Sequence, residues 1–213
     1  NISTVEDPVE YELDGITQIQ VHDQIDMTFS RALRALLRQD PDVVLLGEIR
    51  DRETASVAIQ AAMTGHLVLS TLHTNDAPSS MTRLINIGVE PFLVASAVNA
   101  VLAQRLARRV CQKCVTFTPP TQEERELLGE CSPKKIPRAG GCSQCRGSGY
   151  SGRLGVYELL LVNDELRDLI ASNPTITTFR NRCTELGMLN LRTDGLAKVA
   201  EGLTSLEEIL RLS

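Results

Sequence analysis

Two pairs of cysteines are the most chemically pointed feature of this chain: Cys111-Gln-Lys-Cys114 and Cys142-Ser-Gln-Cys145. A Cys-x-x-Cys turn aims two thiolates at one ion, and two such turns complete a tetrahedral four-sulfur shell for Zn2+. That shell has no open position, so the metal it holds is structural rather than catalytic. The gap between the pairs is longer than in compact zinc ribbons, so a loop or short helix must bring them together. Disulfides and a thioredoxin-like redox pair are the competing uses, although neither pair follows a strand in a βαβ unit. Of the other two cysteines, Cys183 shares a helical face with Phe179 and Leu186 and reads as a buried thiol, while Cys131 reads as a spare thiol in an irregular stretch.

A second set of candidates consists of acids and histidines at strand ends. Asp42-Val-Val-Leu-Leu-Gly-Glu48 is a buried-type strand that runs into an acid, and α/β proteins place ligand chemistry at that end. In nucleotide hydrolases such an acid acts on Mg2+ or on the attacking water, which makes Glu48 the candidate. A strand-end acid that caps the following helix is the plainer alternative, and Gly47 stands where a metal-holding Asp is usual. Ile2-Ser-Thr-Val-Glu6 also runs into acids, Glu6 and Asp7, before Pro8 enforces a turn; it reads equally as a solvated turn. Thr64-Gly65-His66 opens another strand that ends at His73, and either histidine could be a hydrogen-bonded structural residue. Arg31, Arg34 and Arg38 line one stripe of a helix, as a solvated face or as a contact toward a neighbouring subunit.

Strand-like runs and helical periodicity alternate over the first hundred residues, the pattern of a largely parallel sheet covered by helices. The strands fall at Ile2–Glu6, Ile16–His22, Val43–Ile49 and Leu67–Leu72. Helices are expected around Phe29–Leu37, at Glu53–Met63 with Gly65 beyond its end, and from Asp76 to Gly88 with Pro78 in the first turn. A fourth helix is expected from about Glu90 or Phe92 to Arg109. The cysteine-, proline- and glycine-rich stretch that follows has one short helical candidate, Glu123–Leu128. Beyond it come a strand at Arg153–Leu161 and helices near Asp164–Ala171, Thr175–Leu186, Asp194–Glu201 and Ser205–Leu212, the last opened by a Thr204-Ser-Leu-Glu207 capping box.

The 213 residues, 42% hydrophobic and 23% charged, suit one sizeable α/β core with a small appended module. A net charge of −5 and 3% aromatic residues argue against a nucleic-acid binder, although Arg105, Arg108 and Arg109 flank the first cysteine pair. The longest apolar stretch, Phe92 to Ala103, is too short to span a bilayer, and no signal-peptide pattern is present. The chain opens on Asn1 and reads as part of a longer polypeptide.

The order and wording of these segments resemble the motor ATPases of type II secretion and type IV pilus assembly. Thr4-Val-Glu6-Asp7-Pro8 looks like their acidic box, Val43-Val-Leu-Leu-Gly-Glu48 like their atypical Walker B strand, and Thr64-Gly-His66 through His73-Thr-Asn75 like their histidine box. Arg38-Gln-Asp-Pro-Asp42 and Ala103-Gln-Arg-Leu-Ala-Arg108 match as well, so the likeness covers essentially the whole chain. It implies a RecA-like core at residues 1–109, incomplete here, a four-cysteine zinc module at 110–152 and a mostly helical region at 153–213. It further implies hydrolysis of ATP with Mg2+ in a hexameric ring that docks on an inner-membrane platform protein, in the cytoplasm at the membrane face. By the same likeness Glu48 polarises water or acts on the metal, Glu6 lies near the metal and phosphates, and His66 and His73 order the γ-phosphate region.

The sequence contains no Gly-x-x-x-x-Gly-Lys-Ser/Thr. That loop supplies the backbone cradle, the phosphate-binding Lys and the Mg2+-holding hydroxyl, so residues 1–213 alone are expected to hydrolyse little or no ATP. A zinc-stabilised module that grips the platform protein is the alternative function. A chaperone-type zinc repeat, suggested by Cys142-Ser-Gln-Cys145-Arg-Gly-Ser-Gly149, lacks its glycines at the first pair.

Overall fold

The computed structural model describes residues 1–129 and 132–212, so Cys131 lies outside the described residues. Two compact units emerge, each built from two stretches of chain: Asn1–Val101 with Leu161–Cys183, and Leu102–Leu160 with Thr184–Ser213. These divide the chain differently from a linear series of three domains, because the last helices close on the cysteine-bearing unit.

In the first unit β1 (Ile2–Glu6), β2 (Thr17–Gln20), β3 (Val43–Leu46) and β4 (Leu67–Ser70) form one sheet in the order β2-β1-β3-β4. All three pairings are parallel, with Val5 opposite both Ile19 and Leu46, and Leu46 opposite Ser70. Alternation of side chains across the pleat puts Val5, Val44 and Leu46 on one face, all fully buried. Helices α1 (Phe29–Leu36) and α2 (Arg52–Met63) pack on each other and against β1 and β4, and contribute buried Ala32, Leu33, Leu36, Ala55 and Ile59. The opposite face is another matter: Ile2, Leu67 and Leu69 lie about half exposed. Parallel sheets are ordinarily covered on both faces.

Local signals set most helix ends. Thr28 caps α1 by accepting from the Arg31 amide, and Asp51 caps α2 with its Oδ1 2.8 Å from the Thr54 amide. Asp76 likewise caps α3 (Ala77–Ile87), which stops at Gly88 in the left-handed conformation. Arg180, on α7 (Ile176–Glu185), donates to the same Asp76 at 2.9 Å, and Arg167, on α6 (Asp164–Ala171), donates to Val98 O and to Asn99 Oδ1 beyond α4 (Pro91–Ala97). Cys183 is buried on α7.

The expected helix to Arg109 is wrong beyond Ala97. Val98 turns extended, and residues Ala100–Val110 form a long strand, β5, paired with β8 (Tyr150–Leu161). Ala, Leu, Gln and Arg are good helix formers, which misleads a propensity reading. Their side chains nevertheless alternate between more and less exposed from Ala100 to Leu106, and the ladder to β8 satisfies the backbone. The short strands β6 (Thr116–Thr118) and β7 (Ile136–Arg138), paired antiparallel on either side of α5 (Gln122–Leu128), carried no sequence signal strong enough to be read.

The second unit buries Ala107, Leu128, Ile136, Val156, Val199 on α8 (Leu191–Ala200), Leu206 and Ile209 in one cluster. The last helix, α9 (Leu206–Leu212), is capped one residue later than expected, because the Ser205 hydroxyl accepts from the Glu208 amide while Thr204 Oγ1 donates to Arg108 O at 2.8 Å. Glu208, one residue past the expected box acid Glu207, lies fully buried between two arginines. Its carboxylate accepts from Arg108 Nε, Arg108 Nη2 at 2.7 Å, Arg211 Nε at 3.1 Å, Arg211 Nη2 at 2.7 Å and the Arg108 amide. The Arg108 guanidinium also stacks on the Tyr150 ring, 4.1 Å from its centroid.

Burial acts to raise the Glu208 pKa, but hydrogen bonds from Arg211 and Arg108 outweigh it and hold the group at about 2 instead of 4.5. Its folded pKa is depressed, so its contribution is complete above pH 4.5 and is lost as the pH falls toward 2. Glu208→Gln removes the charge that two half-exposed arginines share and should cost about 1–3 kcal/mol at neutral pH. Urea denaturation at a series of pH values should show the wild-type advantage shrinking across that acid window; equal stability of the two proteins at pH 7 would refute the clamp.

Candidate functional site

Parallel pairing sends the C-terminal ends of β1, β3 and β4 to one edge of the sheet, and each carries a candidate side chain just past or at its last residue. Glu6 closes β1, Glu48 follows β3 by two residues, and His73 follows β4 by three. The edge is held by specific contacts. Gly47 N donates to Val5 O at 2.8 Å, Thr71 Oγ1 donates to Gly47 O at 2.6 Å, and Ile49 N donates to Thr71 O at 3.1 Å. A Cβ on Gly47 would stand 3.2 Å from Val5 O, so the residue that replaces the usual Asp is the one that lets β3 press against β1.

Glu48 has only 12% of its side chain exposed, and both of its oxygens are engaged. Oε2 lies 2.9 Å from His73 Nε2, and Oε1 takes an ion pair from the Arg50 guanidinium. The Arg50 hydrogen bond, reinforced by His73, holds the Glu48 carboxyl below its ordinary range against the opposing effect of burial. Glu6 is also held low, by hydrogen bonds from Thr4 and then from Gln18, whose Nε2 lies 3.0 Å away. Two ionised carboxylates therefore stand at the ends of adjacent strands. The helix-cap alternative for Glu48 does not apply, since Asp51 performs that task for α2.

Glu48 and His73 touch, and Glu6 shares their edge. His66 does not join them: it precedes β4, at the other end of the strand, where its Nδ1 lies 3.0 Å from Ala61 O and 3.3 Å from Thr64 Oγ1. Those contacts brace the turn from α2 into β4. Of the stripe arginines, Arg31 pairs with Asp26 and Arg34 with Glu53 at 2.8 Å. Arg50 and Thr71 were not singled out from the sequence; only the Gly-Glu-Ile-Arg and Ser-Thr wording at the strand ends could have pointed to them.

In the second unit the four cysteines converge, all four Sγ atoms lying within 4.8 Å of one another. Cys111 to Cys142 is 4.0 Å, while Cys114 to Cys145 and Cys142 to Cys145 are each 3.8 Å. The β6–β7 ladder starts just after the first pair and ends just before the second, which is how the long gap is closed. Arg138 fastens this loop by pairing with Glu124 on α5 through both of its terminal nitrogens. A Cβ at Gly140 would fall 2.4 Å from Cys114 O, so only glycine permits the second turn to approach the first. Amides of Cys142 and Gly149 lower the Cys145 thiol to about 6, whereas burial, outweighing the Gly141 amide, pushes Cys114 up to about 12. A tetrahedral ion with bonds of about 2.3 Å needs sulfur atoms roughly 3.8 Å apart, close to the three separations of 3.8–4.0 Å given above.

Comparison with known proteins agrees with this layout. The family model described as type II/IV secretion system protein matches residues 1–211. Type II secretion system protein E of Pseudomonas aeruginosa is 51% identical over 215 residues, which take in 100% of this chain and 43% of that protein. The type IV pilus assembly ATPase PilB of Thermus thermophilus is 50% identical over 214 residues, 99% of this chain and 24% of its own length. The chain thus spans less than half of these relatives. Among solved structures, the crystal structure of the pilus retraction motor PilT with bound ADP superposes with a TM-score of 0.73 at 28% identity, covering 100% of this chain and 52% of that one. With its family model matched almost end to end, this chain belongs to the type II/IV secretion system protein family.

Proposed function

We infer that this chain is the part of a ring-forming motor ATPase that bears the acid and histidine wall of the nucleotide site. The motor drives pseudopilus or type IV pilus assembly, in protein secretion, pilus extension or DNA uptake. The observation that carries this reading is the Glu48–His73 pair beside Glu6 at the C-terminal edge of a parallel sheet, where such folds bind ligands. Support comes from relatives named as secretion and pilus-assembly ATPases. The fold is then a RecA-like core, and its bare sheet face and missing Gly-Lys-Ser/Thr loop are to be supplied by other parts of the intact protein.

Glu48 accepts a hydrogen bond from the attacking water and orients it toward the γ-phosphate of ATP. His73, 84% exposed on its side chain and joined to Glu48, reads the same phosphate. Bound Mg2+ offsets the phosphate charge; Glu6, an ionised oxygen donor, suits that hard cation. His66 supports the site indirectly, by fixing the start of β4. In the second unit the four thiolates suit Zn2+ and leave it no open position, so the ion holds the two cysteine turns together. The partners are other copies in a hexameric ring and an inner-membrane platform protein at the cytoplasmic face. No helix among the described residues is long and apolar enough to cross a membrane.

In the full-length gene product, Glu48→Gln should lower steady-state ATP hydrolysis about a hundredfold or more while nucleotide binding persists, and residues 1–213 alone should turn over at background. Hydrolysis by Glu48→Gln at the wild-type rate would sink the assignment. Elemental analysis of the purified chain should find one zinc per polypeptide. Cys145→Ser should lose it together with the protease resistance of residues 110–152; a metal-free chain with that region intact would overturn the zinc reading.

A further inference from the structure

Glu48 is placed for catalysis but not disposed for it. A carboxylate that must accept a hydrogen bond from water has one oxygen on His73 and the other on Arg50. Arg50 is itself 61% exposed on its side chain, so most of it lies in solvent. Two further carboxylates stand at the same sheet edge. Asp7 follows Glu6 at the end of β1, and Asp23 follows β2 by three residues. Both are exposed, and neither has an ion pair among those described. The charge on Arg50 is favoured first by its hydrogen bond to Glu48 and, with smaller effect, by Asp7 and Asp23. Among the described residues His73 is the other ionisable group hydrogen-bonded to Glu48.

We propose that Arg50 is a positioning residue that latches Glu48 in the resting state, and that it frees Oε1 of Glu48 by moving to Asp7 and Asp23. Resting on the assignment of Glu48 above, the latch adds a control point: the guanidinium exchanges one carboxylate for two others at the same edge. Exchange between partners of like charge carries little net cost, so a small difference in contacts sets the balance.

The latch predicts a particular pattern of epistasis in the full-length protein. Arg50→Ala should raise basal kcat several-fold with little change in KM or in the affinity for a fluorescent ADP analogue. The double variant Asp7→Asn/Asp23→Asn removes the alternative partners, keeps Arg50 on Glu48 and should lower kcat several-fold. Adding Arg50→Ala to that double variant should restore the fast rate, and Arg50→Lys should lie between wild type and Arg50→Ala. A merely structural Arg50 would give additive losses, and a phosphate-binding Arg50 would weaken the ADP analogue; either result overturns the latch, as does an unaltered rate in the double variant. Glu48→Gln measured alongside separates the two ideas. If it is inert while Arg50→Ala behaves as wild type, only the latch fails; if it is active, the catalytic assignment fails with it.

Discussion

Parallel strand pairing is the constraint on which the site depends. Because β1, β3 and β4 run the same way and in fixed register, their C-terminal ends arrive together, and three short segments far apart in the chain deliver Glu6, Glu48 and His73 to one edge. A slip of one residue in β3 would turn Val44 and Leu46 from the buried face to the other and carry Glu48 off the edge with them. The burial of those two side chains therefore specifies the chemistry as well as the stability. Gly47 belongs to the same constraint, since the close approach of β3 to β1 leaves little room for a side chain.

Charge is handled differently in the two units. At the sheet edge the carboxylates stay ionised through donors that can be exchanged: a threonine and a glutamine on Glu6, an exposed arginine and histidine on Glu48. In the second unit Glu208 is locked, since five hydrogen bonds from Arg108 and Arg211 surround a side chain with no exposure. A donor lying mostly in water can trade partners, whereas a fully buried carboxylate is costly to strip of its donors. Such a division suits a site that must respond to ligand beside a scaffold that must not. Four sulfurs within 4.8 Å of one another, with Gly140 pressed against Cys114 O, belong to the fixed part as well.

Patterns that depend on neighbours in sequence were legible. The four strands of the first unit lay within the stretches read from apolar runs, though three proved shorter, and Asp76 and Gly88 bounded α3 as their types demand. Each of these features is set by a few adjacent residues and their backbone preferences. Residues 100–110 failed for the complementary reason. Helix-forming side chains there adopt a strand because β8, some fifty residues away, supplies its ladder, and no local signal announces that partner. The shifted cap of α9 failed likewise: Thr204 is drawn to the Arg108 carbonyl and leaves the capping to Ser205.

By itself the sequence determined the residue types able to do chemistry, the two cysteine turns, the strand-end acids and histidines, and the wording that marks the family. Those properties reside in single side chains and short spacings. Only the tertiary structure decided which of them meet. It joined Glu48 to His73, set His66 at the far end of β4, gave the helix cap to Asp51 and introduced Arg50 as the partner of Glu48. Strand order and register, which make those choices, arise from burying apolar faces contributed by distant segments, and that is a property of the packed chain as a whole.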